Sequence, residues 1–213
     1  MIECGFMDTQ PNTVDINPPQ EKPEKEKWYK RFKGPFYSVA VFASAFITAL
    51  LLNAFVFQPY EVEGSSMEPT LQNSDRLIVS KVGKTWSRIT RNAYIPDRGE
   101  IVVFKSNRLG KQLIKRVVAL PGERVVITNG DITVFNDENP AGFNPDELVD
   151  VDFYEFTDGQ VDLVVPDESI YVVGDNRLPS ASQDSRSFGP ISSDNIVGVL
   201  QFRMYPFNKF EVY

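Results

Sequence analysis

The feature that most constrains this chain is an uncharged run from Pro35 to Tyr60, whose apolar heart extends from Phe36 to Phe57. At about 1.5 Å per residue such a helix is long enough to cross a hydrocarbon core of about 30 Å. A helix buried in a globular core usually keeps a polar face, and this run carries no charge on any face, so it reads as one transmembrane anchor. Its flanks set an orientation. Lys22, Lys25, Lys27, Lys30, Arg31 and Lys33 precede the run, and the first basic residue after it is Arg76, which puts the N-terminus on the cytoplasmic side. The run exceeds a signal-peptide core of about 7–15 residues and no clean small-x-small site follows it, so a retained anchor is expected rather than a cleaved leader.

Three segments follow from this reading: a flexible cytoplasmic tail over 1–34, the anchor over 35–58, and an outer domain over 59–213. The tail, with Pro11, Pro18, Pro19 and Pro23, holds six acids and six bases, so the rest of the chain carries the whole net charge of -7. An acidic domain argues against nucleic-acid binding, which draws on basic surface. One cysteine and no histidine exclude an internal disulfide, an imidazole zinc site and a Ser-His-Asp triad. Acid-base chemistry is left to Asp, Glu, Lys or Tyr. Cys4 falls on the reducing side, where a free thiol is expected.

The outer domain reads as all-β. Short stretches rich in Val, Ile and Phe recur between turn signals: 76–82, 99–105, 112–120, 124–128, 132–135, 161–165, 169–173 and 196–204. Asn129-Gly130 between two of them predicts a tight hairpin, because both central residues of a type I′ turn need positive φ. The acidic stretch at about 136–160, with Pro140, Gly142, Pro145 and Gly159, reads as an insertion or long loop. No helical pattern of the anchor's length appears after it.

Three places offer chemistry. Gly64-Ser65-Ser66-Met67-Glu68-Pro69 can expose a serine hydroxyl on a turn whose N–H groups face a developing oxyanion, and serves equally as an ordinary turn. On a strand over Gln112–Leu120, Lys115 shares a face with Leu113 and Val117, while Arg116 shares the other with Ile114 and Val118, so one of two adjacent cations must lie on an apolar face. If that residue is Lys115, desolvation lowers its pKa and a neutral amine becomes available as a base; a lysine that keeps its head in water has no such use. The polar loop Gly174–Gly189 can hold a hydroxyl against that amine and brace itself with an Asp184–Arg186 ion pair.

These pieces, in this order and behind a single anchor, resemble the type I signal peptidases, membrane-bound Ser-Lys proteases. The resemblance covers residues 36–213 and rests on Ser66-Met67-x-Pro69-Thr70-Leu71, Arg98-Gly99-Glu100-Ile101, Lys115-Arg116-Val117 with Leu120-Pro121-Gly122, and Gly174-Asp175-Asn176-Arg177 with Ser182-x-Asp184-Ser185-Arg186. It implies a mainly β catalytic domain, Ser66 as nucleophile and Lys115 as general base. It also implies Ser182 orienting the lysine, Asp184 and Arg186 as a supporting ion pair, and the Ser66 N–H in the oxyanion hole. Tyr60, Val62, Leu71, Leu113 and Ile114 match the walls of pockets that accept small residues, usually in Ala-x-Ala. The implied partners are secretory preproteins delivered by the export machinery, together with membrane lipid; no metal or organic cofactor is implied. The implied location is the plasma membrane, with the catalytic domain outside, or a thylakoid membrane. The chain departs from the family pattern twice. Gly64 stands where a serine often supplies a second oxyanion donor, and the spacing from Arg177 to Asp184 is two residues longer than usual. Those departures motivate an alternative, a catalytically silent, membrane-tethered binding module.

Overall fold

The computed structural model describes residues 25–153 and 156–213, with side chains from Tyr37 onward. The chain divides into two compact units, Met1–Ile47 and Thr48–Tyr213. In the first, the backbone of 25–47 is helical and forms the beginning of α1 (Lys25–Phe55). The helix therefore starts well before the expected anchor boundary, and 25–34 do not form the irregular tail read from their charges, since Lys and Glu are good helix formers. The remainder of that tail, with Cys4, lies outside the described residues. Tyr37–Phe55 has a mean hydropathy of 2.0 with none of its window buried, long and apolar enough to cross a membrane.

The second unit is antiparallel β. Its strands are β1 (Phe57–Glu61), β2 (Arg76–Ser80), β3 (Ile101–Ser106), β4 (Lys111–Ala119), β5 (Arg124–Thr128), β6 (Asp131–Phe135), β7 (Val161–Val164), β8 (Ser169–Val173), β9 (Ile191–Ser192), β10 (Ile196–Tyr205) and β11 (Glu211–Val212). Eight of them form one sheet in the order β1-β2-β10-β3-β4-β8-β9, with β11 on β10, and a second sheet runs β6-β5-β7. Burial explains the central placement of β3: Ile101 to Phe104 are all buried, the continuous apolar run of a strand covered on both faces. At the periphery, β2 alternates, with Leu77 and Val79 turned inward. The β5–β6 hairpin turns through Asn129 and Gly130 at φ 53° and 95°, with Thr128 opposite Asp131.

Two elements differ from the sequence reading. Phe57 and Gln58, assigned to the end of the anchor, belong to β1, which pairs with β2 from Phe57 opposite Ser80 to Glu61 opposite Arg76. Pro59 cannot sit in a helix interior and is tolerated on an edge strand, which is where β1 lies. A short helix α2 (Val82–Thr90) follows β2. Among its described residues, the 136–160 stretch holds a 3-10 turn, Pro145–Leu148, and a bridge from Val134 to Phe143 brings Phe143 onto the core.

Three apolar clusters support this frame. One joins the small sheet to β4 and β8 through Val125, Ile127, Ile132, Val134, Tyr171 and Val173. A second lies around Val102, Phe104, Val117, Ile170, Val172 and Ile196. A third, Val62, Met67, Leu71, Leu77, Ile101 and Leu200, anchors the loop between β1 and β2. Burying a side chain of that size is worth about 1.5–3 kcal/mol, so Met67 and Leu71 alone hold this loop with several kcal/mol.

Candidate active site

Ser66 stands in the loop pinned by Met67 and Leu71, which are 1% and 0% exposed. The turn closes on itself through Glu68 N–H to Ser65 O at 3.1 Å and Leu71 N–H to Met67 O at 2.8 Å. From far along the chain, Asn176 clamps it twice: its N–H donates to Ser66 O and its Nδ2 to Ser65 O, each at 3.1 Å. Such an approach requires a glycine nearby. A Cβ on Gly174 would lie 2.4 Å from Ser66 O and 2.3 Å from Ser182 Oγ. Among the described residues the Ser66 N–H has no acceptor, so it is free to donate to a developing charge.

Strand β4 places Lys115 opposite Val102 of β3 and carries its amine to the same point. Lys115 Nζ donates to Ser66 Oγ at 2.6 Å and to Ile114 O at 2.6 Å. The side chain is 2% exposed. Burial lowers its pKa from 10.5 to about 8, against the opposing pull of Asp184 and Asp175 and with smaller help from Arg186 and Lys111. Buried cations are costly unless paired, and a lysine answers by releasing its proton at lower pH.

Of the two adjacent cations on β4, both are buried. Arg116 escapes the cost by a two-pronged pair with Asp175, Nε to Oδ1 at 2.9 Å and Nη2 to Oδ2 at 2.6 Å, while Nη1 donates to Gly99 O at 2.7 Å. Thr70 Oγ1 donates to the same carboxylate at 2.5 Å. The sequence motifs around Thr70, Gly99, Arg116 and Asp175 therefore meet in one hydrogen-bonded brace beneath the Ser66 turn.

Asp184 caps α3 (Ser185–Phe188) and receives Arg186 Nε at 2.9 Å, Arg186 Nη2 at 2.8 Å and Gly174 N–H at 2.9 Å. Burial works to raise its pKa, but Arg186, the Gly174 N–H and nearby Ser182 outweigh it and hold the carboxyl below its ordinary value. Ser182 Oγ is buried but forms no well-shaped hydrogen bond. The expected Ser182 contact to Lys115 is not made here; the amine's hydrogen bonds go to Ser66 and Ile114. The long spacing from Arg177 to Asp184 is taken up by an outward turn in which Leu178, Pro179 and Ser180 are exposed and Ser180 has φ 59°. Ser182 thereby lies against Gly174, and Ser180 lies in solvent.

Arg177 is fully buried, with Nε donating to Gly174 O at 3.0 Å and its two terminal nitrogens on Asp146, Nη2 to Oδ1 at 2.5 Å. Its guanidinium stacks on Phe153, 4.4 Å from the ring centroid. The stretch read as an insertion therefore braces the loop that clamps Ser66. No motif in the sequence marks Asp146 for this task.

A cavity of about 290 Å³ opens beside Ser66 and Lys115, walled by Tyr60, Val62, Leu77, Val103, Leu113 and Ile114. Four of the five expected wall residues are there. Leu71 is not: its side chain turns wholly into the cluster under the turn, and Leu77 and Val103, which no motif singled out, take up the wall. On one side of the cavity β1 is a sheet edge, and on the other β4 pairs with β8 only from Arg116 onward, so that among the described residues no strand covers the outer edge of Gln112–Lys115.

The family described as signal peptidase, peptidase S26, matches residues 36–205. The chain belongs to this family. Signal peptidase IB of Staphylococcus aureus (strain COL) is 33% identical over 180 residues, 79% of this chain and 88% of that protein. Signal peptidase I of Bacillus amyloliquefaciens is 34% identical over 193 residues, 88% of this chain and 97% of that one. A crystal structure of a signal peptidase I from Enterococcus faecalis V583 superposes with a TM-score of 0.40 at 30% identity, covering 50% of this chain and 97% of that chain. As a member of the signal peptidase family this chain is a serine endopeptidase, mainly β in fold, and among the described residues one helix is long and apolar enough to cross a membrane.

Proposed function

We propose that the chain removes signal peptides from exported preproteins through a Ser66–Lys115 dyad. The observation that carries the reading is the 2.6 Å contact between a buried amine and the Ser66 hydroxyl. While protonated, Lys115 donates in that contact. Once neutral it accepts, and the hydroxyl proton passes to Nζ as Oγ attacks the scissile carbonyl. The Ser66 N–H faces the oxyanion. Gly64 brings no hydroxyl, and its N–H is already given to Asn73 Oδ1 at 2.9 Å, so it adds no donor. The lysinium then protonates the leaving amine, the signal peptide remains as an ester on Ser66, and the same amine, neutral again, takes a proton from the water that hydrolyses it. Asp184 and Arg186 hold the loop that keeps Ser182 against Gly174 beside the Ser66 turn.

The substrate lies extended between β1 and the free edge of β4, adding a strand by backbone hydrogen bonds while small side chains enter the apolar cavity. Tyr60, Val62, Leu113 and Ile114 supply the walls, which fits small-x-small sites. The segment before the span lies in the cytoplasm, Tyr37–Phe55 crosses the plasma membrane, and the β domain that begins with Phe57 acts on the outer side, where the export machinery releases preproteins. The excess of cations before the span supports this orientation.

The test is cleavage of a preprotein with Ala-x-Ala before its processing site, in detergent, by wild type, Ser66→Ala and Lys115→Met. Release by wild type and loss in both folded variants is the expected result. Activity in Ser66→Ala would mean another nucleophile, and a folded wild type that leaves several such preproteins intact would make the chain a silent binding module.

A further inference from the structure

The stretch from Arg76 to Pro96 carries five bases and no acid, in a chain whose formal charge is -7. Helix α2 sorts that charge onto one side. Lys81, Lys84 and Arg88, spaced as neighbours on one face, meet Lys105 of β3 around a basin of about 240 Å³ that also touches Ala54 in the last turn of α1. Asp194 is the one carboxylate on its rim, 3.5 Å from Lys84 Nζ and almost wholly in solvent. Burial, and to a smaller extent the neighbouring Arg88, lowers the pKa of Lys81.

A second face of α2 is apolar and bare. Val82, Trp86 and Ile89, at i, i+4 and i+7, are 50%, 65% and 69% exposed. Three groups at the beginning of α2 are tied to the end of the apolar helix: Lys81 N–H to Val56 O at 2.7 Å, Lys81 Nζ to Asn53 O at 2.7 Å, and Thr85 Oγ1 to Phe55 O at 2.9 Å. Asn53 to Val56 is where the span Tyr37–Phe55 ends, so α2 is fastened at the level where that helix leaves hydrocarbon.

We infer that α2 is an interfacial helix of the membrane, laying Val82, Trp86 and Ile89 among the lipid chains while the Lys81, Lys84, Arg88 and Lys105 basin takes the phosphate of an anionic phospholipid. Tryptophan beside aliphatic residues on one face and cations on the next is the composition such helices need. The consequence is mechanical: strand β2, which leads into α2, pairs along β1 next to the cleavage cavity, so a lipid-bound α2 sets the height of the cavity above the membrane. The inference rests on the reading of Tyr37–Phe55 as a membrane span.

The test uses the full chain with Trp28→Phe, which leaves Trp86 as its one indole. In nanodiscs whose lipids carry brominated chains, Trp86 fluorescence is expected to be quenched. Native mass spectrometry from detergent is expected to show phosphatidylglycerol retained over phosphatidylcholine, with the preference falling about fivefold for each charge removed in Arg88→Gln and Lys105→Gln, two exposed side chains with no hydrogen bond to lose. Equal binding of the two lipids by the unmodified basin, or an unquenched Trp86 in a chain that has entered nanodiscs, overturns the inference alone. A chain that does not enter nanodiscs removes the membrane-span reading and this inference with it.

Discussion

Replacing Lys115 by methionine should make the protein inactive and, at neutral pH, more stable. Methionine keeps the length of the side chain and removes a cation that the fold has taken out of water. With a folded pKa of about 8 against 10.5 for an ordinary lysine, the amine binds protons more weakly folded than unfolded. Stability at this site is therefore full above the ordinary lysine value and is lost as the pH falls through about 8. The difference between the two values corresponds to about 3 kcal/mol at pH 7. For a domain of this size that is roughly 6–12 °C in Tm. By pH 9 wild type should have regained about 1 kcal/mol relative to the variant. Thermal unfolding of the β signal by circular dichroism, in one detergent between pH 6 and pH 10, measures both. A variant less stable than wild type at pH 7, or a gap that stays flat between pH 7 and pH 9, would refute the claim that Lys115 is a desolvated cation, whatever happens to activity.

The remaining expectations come from the same geometry. The kcat/KM for preprotein cleavage should climb about tenfold per pH unit below an apparent pKa near 8 and then level off, as a pH-rate profile will show; a limb centred near 6 would point to a carboxylate instead. Asp146→Ala leaves the guanidinium of Arg177 buried without its carboxylate and should cost about 3–5 kcal/mol, read as a lower urea midpoint, with Arg177→Met in the same background recovering part of the loss. Val103→Trp should fill the cavity wall and raise KM for Ala-x-Ala substrates while leaving Lys115 and its pH dependence unchanged, which steady-state kinetics will separate. Gly174→Ala should lower kcat sharply even where the protein stays folded, because the added methyl meets Ser66 O and Ser182 Oγ.

Much of the fold was readable along the chain because each strand that touches the core repeats its own burial pattern. In β2 the buried Leu77 and Val79 alternate with the less buried Arg76, Ile78 and Ser80, and Asn129-Gly130 announces its turn by the φ values those residues tolerate. Helix α2 is not legible in the sequence because its apolar stripe is only Val82, Trp86 and Ile89 and faces away from the core, and because Gly83, a poor helix former, stands at its second position. Gly83 is there for a neighbour: a Cβ would come within 2.2 Å of the Tyr94 ring. Leu71 lies in the cluster under the turn rather than on the cavity wall, since a linear motif shows which residues flank a serine and not which way their side chains turn. The spacing to Asp184 brings Ser182 rather than Ser180 forward, but the outward turn at Leu178–Ser180 that accommodates this spacing is visible only in three dimensions.

The chain's composition by itself determined that a long uncharged run precedes a β domain, and that with no histidine any serine nucleophile must look to Lys, Asp, Glu or Tyr for its base. It also brought Ser66, Lys115 and the 174–186 loop forward as candidates through their motifs. Tertiary structure alone decided that Lys115 loses its water, that its amine reaches Ser66 across 49 positions, and that Arg177 relies on Asp146. The reason is that a side chain's type is local, whereas its pKa and its partners depend on how much solvent other segments displace around it, and those segments come together only when the sheets close.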